Sequence, residues 1–252
     1  QIVATPQYIE LLPGERQAVT IVNGPTNVKY TCSDESIAQF DQNRNEVVAI
    51  NPGKMVINIS AVDVPELPHF VVYVTVLQPV ELKITPSTNH VIQYGYLILR
   101  LSLLTNDGVR EIKDARWSLS NEFRSRFYNL SYVIIDCNEA TEFHAKVEAY
   151  GLTASYSTNI EPKLKLISPS QVSLPTDCTY RIAVENDLHC QFTSLDETII
   201  TIDNAHRGVI QSTGKEGDAI VRVTYEHQTV AVTIRVSIPK EFFAAQVDGS
   251  LE

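Results

Sequence analysis

Three times in this chain an alternating apolar run ends at a proline, and twice a second run starts at once. Val72-Tyr73-Val74-Thr75-Val76-Leu77-Gln78-Pro79 puts Val72, Val74 and Val76 on one face, and Val80-Glu81-Leu82-Lys83-Ile84-Thr85-Pro86 follows directly. The second run spans Tyr156 to Pro162 and is followed by Lys163 to Pro169; the third spans Val230 to Pro239. A period of two is strand periodicity. Proline has no N–H to give a ladder, so it ends a strand or sits at its edge. Each junction therefore reads as the last strand of one unit, a very short hinge and the first strand of the next. The spacing of roughly 80 residues suits about seven short strands per unit. The predicted units are 1–79, 80–162 and 163–239, with 240–252 as a tail or the start of another unit.

Strands within the units follow the same alternation. The first unit is expected to use Gln17–Val22, Val28–Cys32, Ile37–Phe40, Val47–Ile50, Met55–Val62 and Phe70–Leu77. The third is expected to use Cys178–Glu185, His189–Thr193, Ile199–Ile202, Gly208–Gln211, Ala219–Tyr225 and Thr229–Ser237. Helical spacing is almost absent. Short alternating strands without helices favour a β-sandwich in each unit. The second unit is the least regular, from Asn121 to Tyr132.

Composition narrows the function. A formal net charge of −10 repels phosphate backbones, so no nucleic-acid partner is expected. No window of about 18 apolar residues exists; Arg100 interrupts the nearest approach, Val91 to Leu104. The one methionine is Met55, and the chain reads as a mature product or an excised piece.

None of the four cysteines, Cys32, Cys137, Cys178 and Cys190, forms a C-x-x-C pair, which disfavours zinc. Cys178 and Cys190 are the pair open to a disulfide. If a strand runs from Cys178 to Glu185, the chain travels roughly 25 Å before returning. Bridged cysteines need Cα atoms about 6 Å apart, so buried free thiols are the competing reading. Asn58-Ile59-Ser60 and Asn129-Leu130-Ser131 are N-glycosylation triplets, with Asn58 on the solvent side of its strand.

A signature recurs in the first and third units. The first reads Tyr30-Thr31-Cys32-Ser33-Asp34-Glu35-Ser36-Ile37-Ala38-Gln39-Phe40-Asp41, then Val47-Val48-Ala49, then Pro52-Gly53 before Val56-Ile57-Asn58-Ile59. The third reads Phe192-Thr193-Ser194-Leu195-Asp196-Glu197-Thr198-Ile199-Ile200-Thr201-Ile202-Asp203, then Gly208-Val209-Ile210, then Gly217 before Ala219-Ile220-Val221. Asp34 and Asp196 suit turns that bond their own backbone, and Gly53 and Gly217 suit the corner before a long strand. This order resembles the bacterial Ig-like group 2 module. Leu12-Pro13-Gly14, Val19 to Pro25 and Ser33 to Ala38 are further similar to the lumenal repeats of the nuclear pore membrane glycoprotein 210 family. The resemblance covers nearly all of the first unit and the second half of the third. The second keeps Trp117-Ser118-Leu119-Ser120 and loses the Asp-x-x-Ile-Ala step.

That resemblance implies an all-β fold of three tandem immunoglobulin-like β-sandwich domains. It implies a non-catalytic structural fragment of a lumenal, self-associating scaffold in the perinuclear space and endoplasmic reticulum lumen. Its partners would be other copies and neighbouring Ig-like units, with a membrane reached only through a segment outside this chain. The alternative is a cell-surface adhesin or receptor-type binding module, placed extracellularly.

Residues able to carry chemistry are sparse. The six histidines, His69, His90, His144, His189, His206 and His227, are scattered and show no metal spacing. No G-x-S-x-G is present, and the glycines are too dispersed to cradle a phosphate. Only Glu81 and Glu161 lie at the Pro79 and Pro162 hinges, too few acids for hinge calcium. No catalytic residue, cofactor or metal is therefore expected. Asn106-Asp107-Gly108 is read as a plain hairpin turn and Trp117 as core. Arg116, Arg124 and Arg126 form a local basic excess, either a solvated loop or a contact patch for an acidic neighbour.

Overall fold

The structure, a computed structural model, describes residues 1–120, 123–205 and 207–238, with Asp187 described by its backbone alone. The expected tail at 240–252, His206 and the start of the Asn121 to Tyr132 stretch lie outside the described residues. The chain divides into two compact units, Gln1–Glu161 and Pro162–Glu252.

The first compact unit opens with β1 (Val3–Thr5), β2 (Tyr8–Leu11), β3 (Arg16–Ala18), β4 (Thr20–Asn23), β5 (Val28–Cys32), β6 (Ala38–Asp41), β7 (Glu46–Ala49), β8 (Gly53–Ala61) and β9 (Phe70–Val76). It continues with β10 (Pro79–Pro86), β11 (Val91–Ile92), β12 (Tyr96–Thr105), β13 (Gly108–Arg110), β14 (Arg116–Leu119), β15 (Arg124–Asn129), β16 (Tyr132–Asp136), β17 (Glu142–Ala149) and β18 (Leu152–Glu161). The second compact unit holds β19 (Gln171–Pro175), β20 (Thr179–Arg181), a turn at Glu185–Asp187, β21 (Gln191–Ser194), β22 (Ile200–Asn204), β23 (Val209–Ser212), β24 (Gly217–Tyr225) and β25 (Gln228–Ser237).

These strands pair as three immunoglobulin-like sandwiches. The first packs sheet β2-β9-β8-β5 on sheet β3-β7-β6, with the β1-β4 ribbon beside them. The next packs β11-β18-β17-β14 on β10-β12-β16-β15, with β13 hydrogen-bonded to β12. The last packs β19-β25-β24-β21 on β20-β23-β22. Each repeats one detail: an early strand runs parallel to the sandwich's final strand, as β2 to β9, β11 to β18 and β19 to β25. The period-two pattern explains the cores. Met55, Ile57, Ile59 and Ala61 of β8 are buried, and their neighbours in sequence turn outward. In β24 the buried set is Ala219, Val221 and Val223.

The repeated signature makes the same turn twice. Asp34 Oδ1 accepts the Ser36 N–H at 2.9 Å and the Ser36 hydroxyl at 2.6 Å. Asp196 Oδ1 accepts the Thr198 N–H at 3.0 Å and the Thr198 hydroxyl at 2.6 Å. The turn delivers Ile37 and Ile199 against the glycine that starts each long strand.

Two expected strands differ. Gln17–Val22 divides at Val19, which is buried and donates its N–H to the Asn45 carbonyl at 2.8 Å. β3 then pairs with β7 and β4 with β1, so the chain changes sheets there. Cys178–Glu185 shortens to β20. Its apolar alternation continues, but Val184 makes only an isolated bridge to Leu166. Asn186 then takes φ 59°, a left-handed conformation that asparagine tolerates, and the strand cannot extend through it.

The sandwiches built from β1–β9 and β10–β18 lie within one compact unit, Gln1–Glu161. The reason is a shared apolar cluster. Leu12 and Leu77 pack with Leu82, Leu101, Leu103, Ile112, Val147 and Ala149.

Candidate functional site

The joint around Pro79 gathers backbone and side-chain hydrogen bonds and ion pairs within the first compact unit. Only Leu77 and Gln78 separate β9 from β10, with no glycine between them. The Leu77 N–H donates to the Leu11 carbonyl at 2.8 Å. Asn106 clamps Gln78 from both sides. Its backbone N–H donates to the Gln78 carbonyl at 3.0 Å, and its side-chain oxygen accepts the Gln78 N–H at 2.9 Å. The Asn106-Asp107-Gly108 turn, read from sequence as a plain hairpin, therefore also holds the linker.

Charged side chains surround the shared leucines. Arg110 Nη2 donates to Glu10 Oε2 and to Asp107 Oδ2, both at 2.7 Å. Its Nε is buried without an acceptor. Tyr150 donates its hydroxyl to Glu15 Oε1 at 3.3 Å and accepts the Lys113 N–H at 3.0 Å. The other Glu15 oxygen accepts the Leu12 N–H at 3.0 Å, and Lys113 Nζ lies 3.8 Å from Glu15 Oε1. Burial pushes the Tyr150 phenol up, and the Glu15 charge beside it pushes in the same direction. Glu10, Leu12, Leu77, Arg110 and Lys113 line a recess of about 200 Å³.

Magnitudes separate the roles. Burying each of Leu12 and Leu77 is worth about 1.5–3 kcal/mol. The Arg110–Glu10 pair is part-exposed and screened, worth about 0.2–1 kcal/mol. The leucines therefore hold the joint, and the ion pairs and Asn106 clamp select its geometry. The ion-paired acids here are Glu10, Glu15 and Asp107, none of which sequence places at a hinge. Their counter-charges are Arg110 and Lys113.

The grouped arginines separate. Arg116 lies on β14, opposite Glu148 of β17, and its charge helps hold the Glu148 carboxyl low, behind the larger effect of Lys146. Arg124 and Arg126 lie on β15, in the other sheet. They join a face that sequence did not assemble. Cross-strand register puts Tyr96, Asp136 and Arg124 in one row, Ile98, Ile134 and Arg126 in the next, and Arg100 beside Tyr132. Arg126 Nη2 donates to Asp136 Oδ1 at 2.9 Å, and its guanidinium lies 5.7 Å from the Tyr96 ring centroid. The Arg100 guanidinium lies 5.7 Å from that of Tyr132. Trp117 is half-buried between the apolar clusters and donates its indole N–H to the Leu130 carbonyl at 3.0 Å.

The two triplets differ in setting. Asn58 is half-buried in mid-strand, opposite Thr31 of β5 and Val71 of β9. Asn129 is exposed at the β15–β16 hairpin, its side-chain oxygen accepting the Ser131 N–H at 2.8 Å. Cys178 and Cys190 do not form the bridge left open by sequence; all four cysteines are free thiols. Cys178 precedes β20 of one sheet, whereas Cys190 is fully buried beside β21 of the other. Burial pushes the Cys190 and Cys137 thiols up.

In the second compact unit a recess of about 390 Å³ is lined by Arg181, His189, Phe192 and Arg207 among others. Among the described residues, its lining includes no carboxylate, serine or cysteine to pair with the histidine.

No protein-family model and no curated protein matches the sequence. Among solved structures, the chain is similar to invasin, a bacterial integrin-binding protein, at 11% identity and TM-score 0.47 over 93% of this chain. The chain spans 58% of that structure's length. It is similar to an I-band fragment of titin at 13% identity and TM-score 0.39, over 95% of this chain and 98% of that one. A third likeness is to the N-terminal eight Ig domains of Down Syndrome Cell Adhesion Molecule, at 11% identity and TM-score 0.41, over 95% of this chain and 36% of that one.

Proposed function

We propose that the chain is a non-catalytic binding and spacing module of a tandem-sandwich protein, of adhesin or receptor type, working outside the cytoplasm. The observation that supports this is the joint. Leu12 and Leu77 share a core with the following sandwich, and Asn106 bonds Gln78 through both of its backbone groups. Such a joint fixes one sandwich's orientation on the next, which a spacer needs and a flexible tether lacks. The Asn129 triplet on an exposed hairpin agrees with passage through a secretory compartment.

The second reading is a lumenal scaffold segment of the nuclear pore membrane glycoprotein 210 family. The Ser33 to Ala38 turn with Gly53 supports it, being the part of the chain that resembles those repeats. Its partners would be further copies and neighbouring Ig-like units.

Localisation of the full-length protein separates them. Labelling of intact cells by a membrane-impermeant reagent supports the first reading. Retention at the nuclear envelope with an endoglycosidase-sensitive glycan supports the second. A cytosolic, unglycosylated protein overturns both.

A further inference from the structure

The outer edge of β15 is open. In the sheet order β10-β12-β16-β15 it is terminal, and among the described residues no strand pairs with its far side. All six of its residues are exposed. Every second residue of an antiparallel edge strand turns its N–H and C=O outward, which is a template for another strand.

Charge selects which strand fits. On the outward face of β12, β16 and β15, Arg100, Arg124 and Arg126 meet one carboxylate, Asp136. This positive face belongs to a chain of net charge −10. Two copies of β15 laid edge to edge would bring their arginines together, and like charges across a ladder are destabilising. An acidic strand reverses the sign of that term. Tyr128, 84% exposed at the bulge between Phe127 and Asn129, adds an apolar anchor at the strand's end.

We infer that the β15 edge accepts an extended acidic segment of another protein as an added strand. Alternate carboxylates of that segment meet Arg124 and Arg126, and an apolar residue packs on Tyr128. Backbone bonds supply affinity and the alternate side chains supply specificity, as in strand addition generally. This extends the proposed binding role to a named surface without depending on the joint.

The test uses the full chain and two blocked eight-residue peptides, one alternating Glu with Val and one alternating Lys with Val. Anisotropy gives affinity, and amide hydrogen exchange gives location. The Glu peptide should bind saturably, protect β15 amides and weaken about tenfold in an Arg124→Glu/Arg126→Glu double variant. That variant should in turn prefer the Lys peptide, which keeps the test valid if its stability changes. N-methylation of alternate Glu-peptide amides should abolish binding in one of the two registers. No binding, equal binding of both peptides, indifference to charge reversal or protection away from β15 would each overturn the inference.

Discussion

A Cβ placed on Gly217 would lie 2.7 Å from Ile199 Cδ1, and one placed on Gly53 would lie 2.7 Å from Ile37 Cδ1. The two pairs occupy the same step of the repeated signature. Each isoleucine follows its aspartate turn by three residues and closes over the first residue of the long strand. Gly217 also has φ +147°, which L side chains rarely adopt.

Gly217→Ala should therefore destabilise its sandwich by about 1–3 kcal/mol, through overpacking and backbone strain. Ile199→Val removes the methyl in the way. The double variant should recover part of the loss, with a coupling on the order of 1 kcal/mol. Hydrogen exchange of β24 amides reads both effects. Strict additivity would place the cost in the backbone alone.

The aspartate turns make a pH prediction. Hydrogen bonds from the Thr198 hydroxyl and N–H hold the Asp196 carboxyl below the ordinary aspartate range, and Ser36 does the same for Asp34. A folded-state pKa below the unfolded value means that the stabilisation is present above the unfolded pKa. It is lost as pH falls through the folded one. Both turns should hold through mildly acidic pH and loosen only below the usual carboxylate range. The Thr198 and Ser36 amide shifts, followed by NMR, should titrate there. Thr198→Ala should move the Asp196 midpoint upward; an unmoved midpoint would remove the hydroxyl as the cause.

At the joint, apolar and ionic contributions separate by size. Leu12→Ala should cost about 2–5 kcal/mol, since Leu12 is buried in the shared cluster. Glu10→Gln should cost about 0.2–1 kcal/mol, because its pair with Arg110 is part-exposed. Exchange of the Leu77 amide, which bonds Leu11, reports both. A larger effect from Glu10→Gln would reverse the assignment.

The thiols give a chemical check. Cys137 and Cys190 have no exposed surface. Alkylation followed by mass spectrometry should leave both unmodified until denaturant is added, and no bridged Cys178–Cys190 peptide should appear without reducing agent. A bridged peptide from freshly isolated protein would contradict the free-thiol arrangement.

What was legible in the sequence was local. Period-two burial in β8 and β24, the aspartate turns and the proline at each strand end depend on residues a few positions apart. The joint was not legible, because Arg110 and Glu10 are 100 residues apart and Tyr150 and Glu15 are 135 apart. The separation of Arg116 from Arg124 and Arg126 is hidden in the sequence for a related reason. Arg116 is close to Arg124 in sequence, but β14 pairs with β17 whereas β15 pairs with β16, so the two fall in different sheets. The Cys178 strand was overextended because alternation through Tyr180, Ile182 and Val184 persists after ladder pairing has ended.

The fixed joint is tested most directly by backbone ¹⁵N relaxation of the full chain. One rotational diffusion tensor should describe amides on both sides of Gln78 throughout residues 1–161. Separate tensors for residues 1–77 and 80–161 would show that the joint bends freely and would contradict the spacer role.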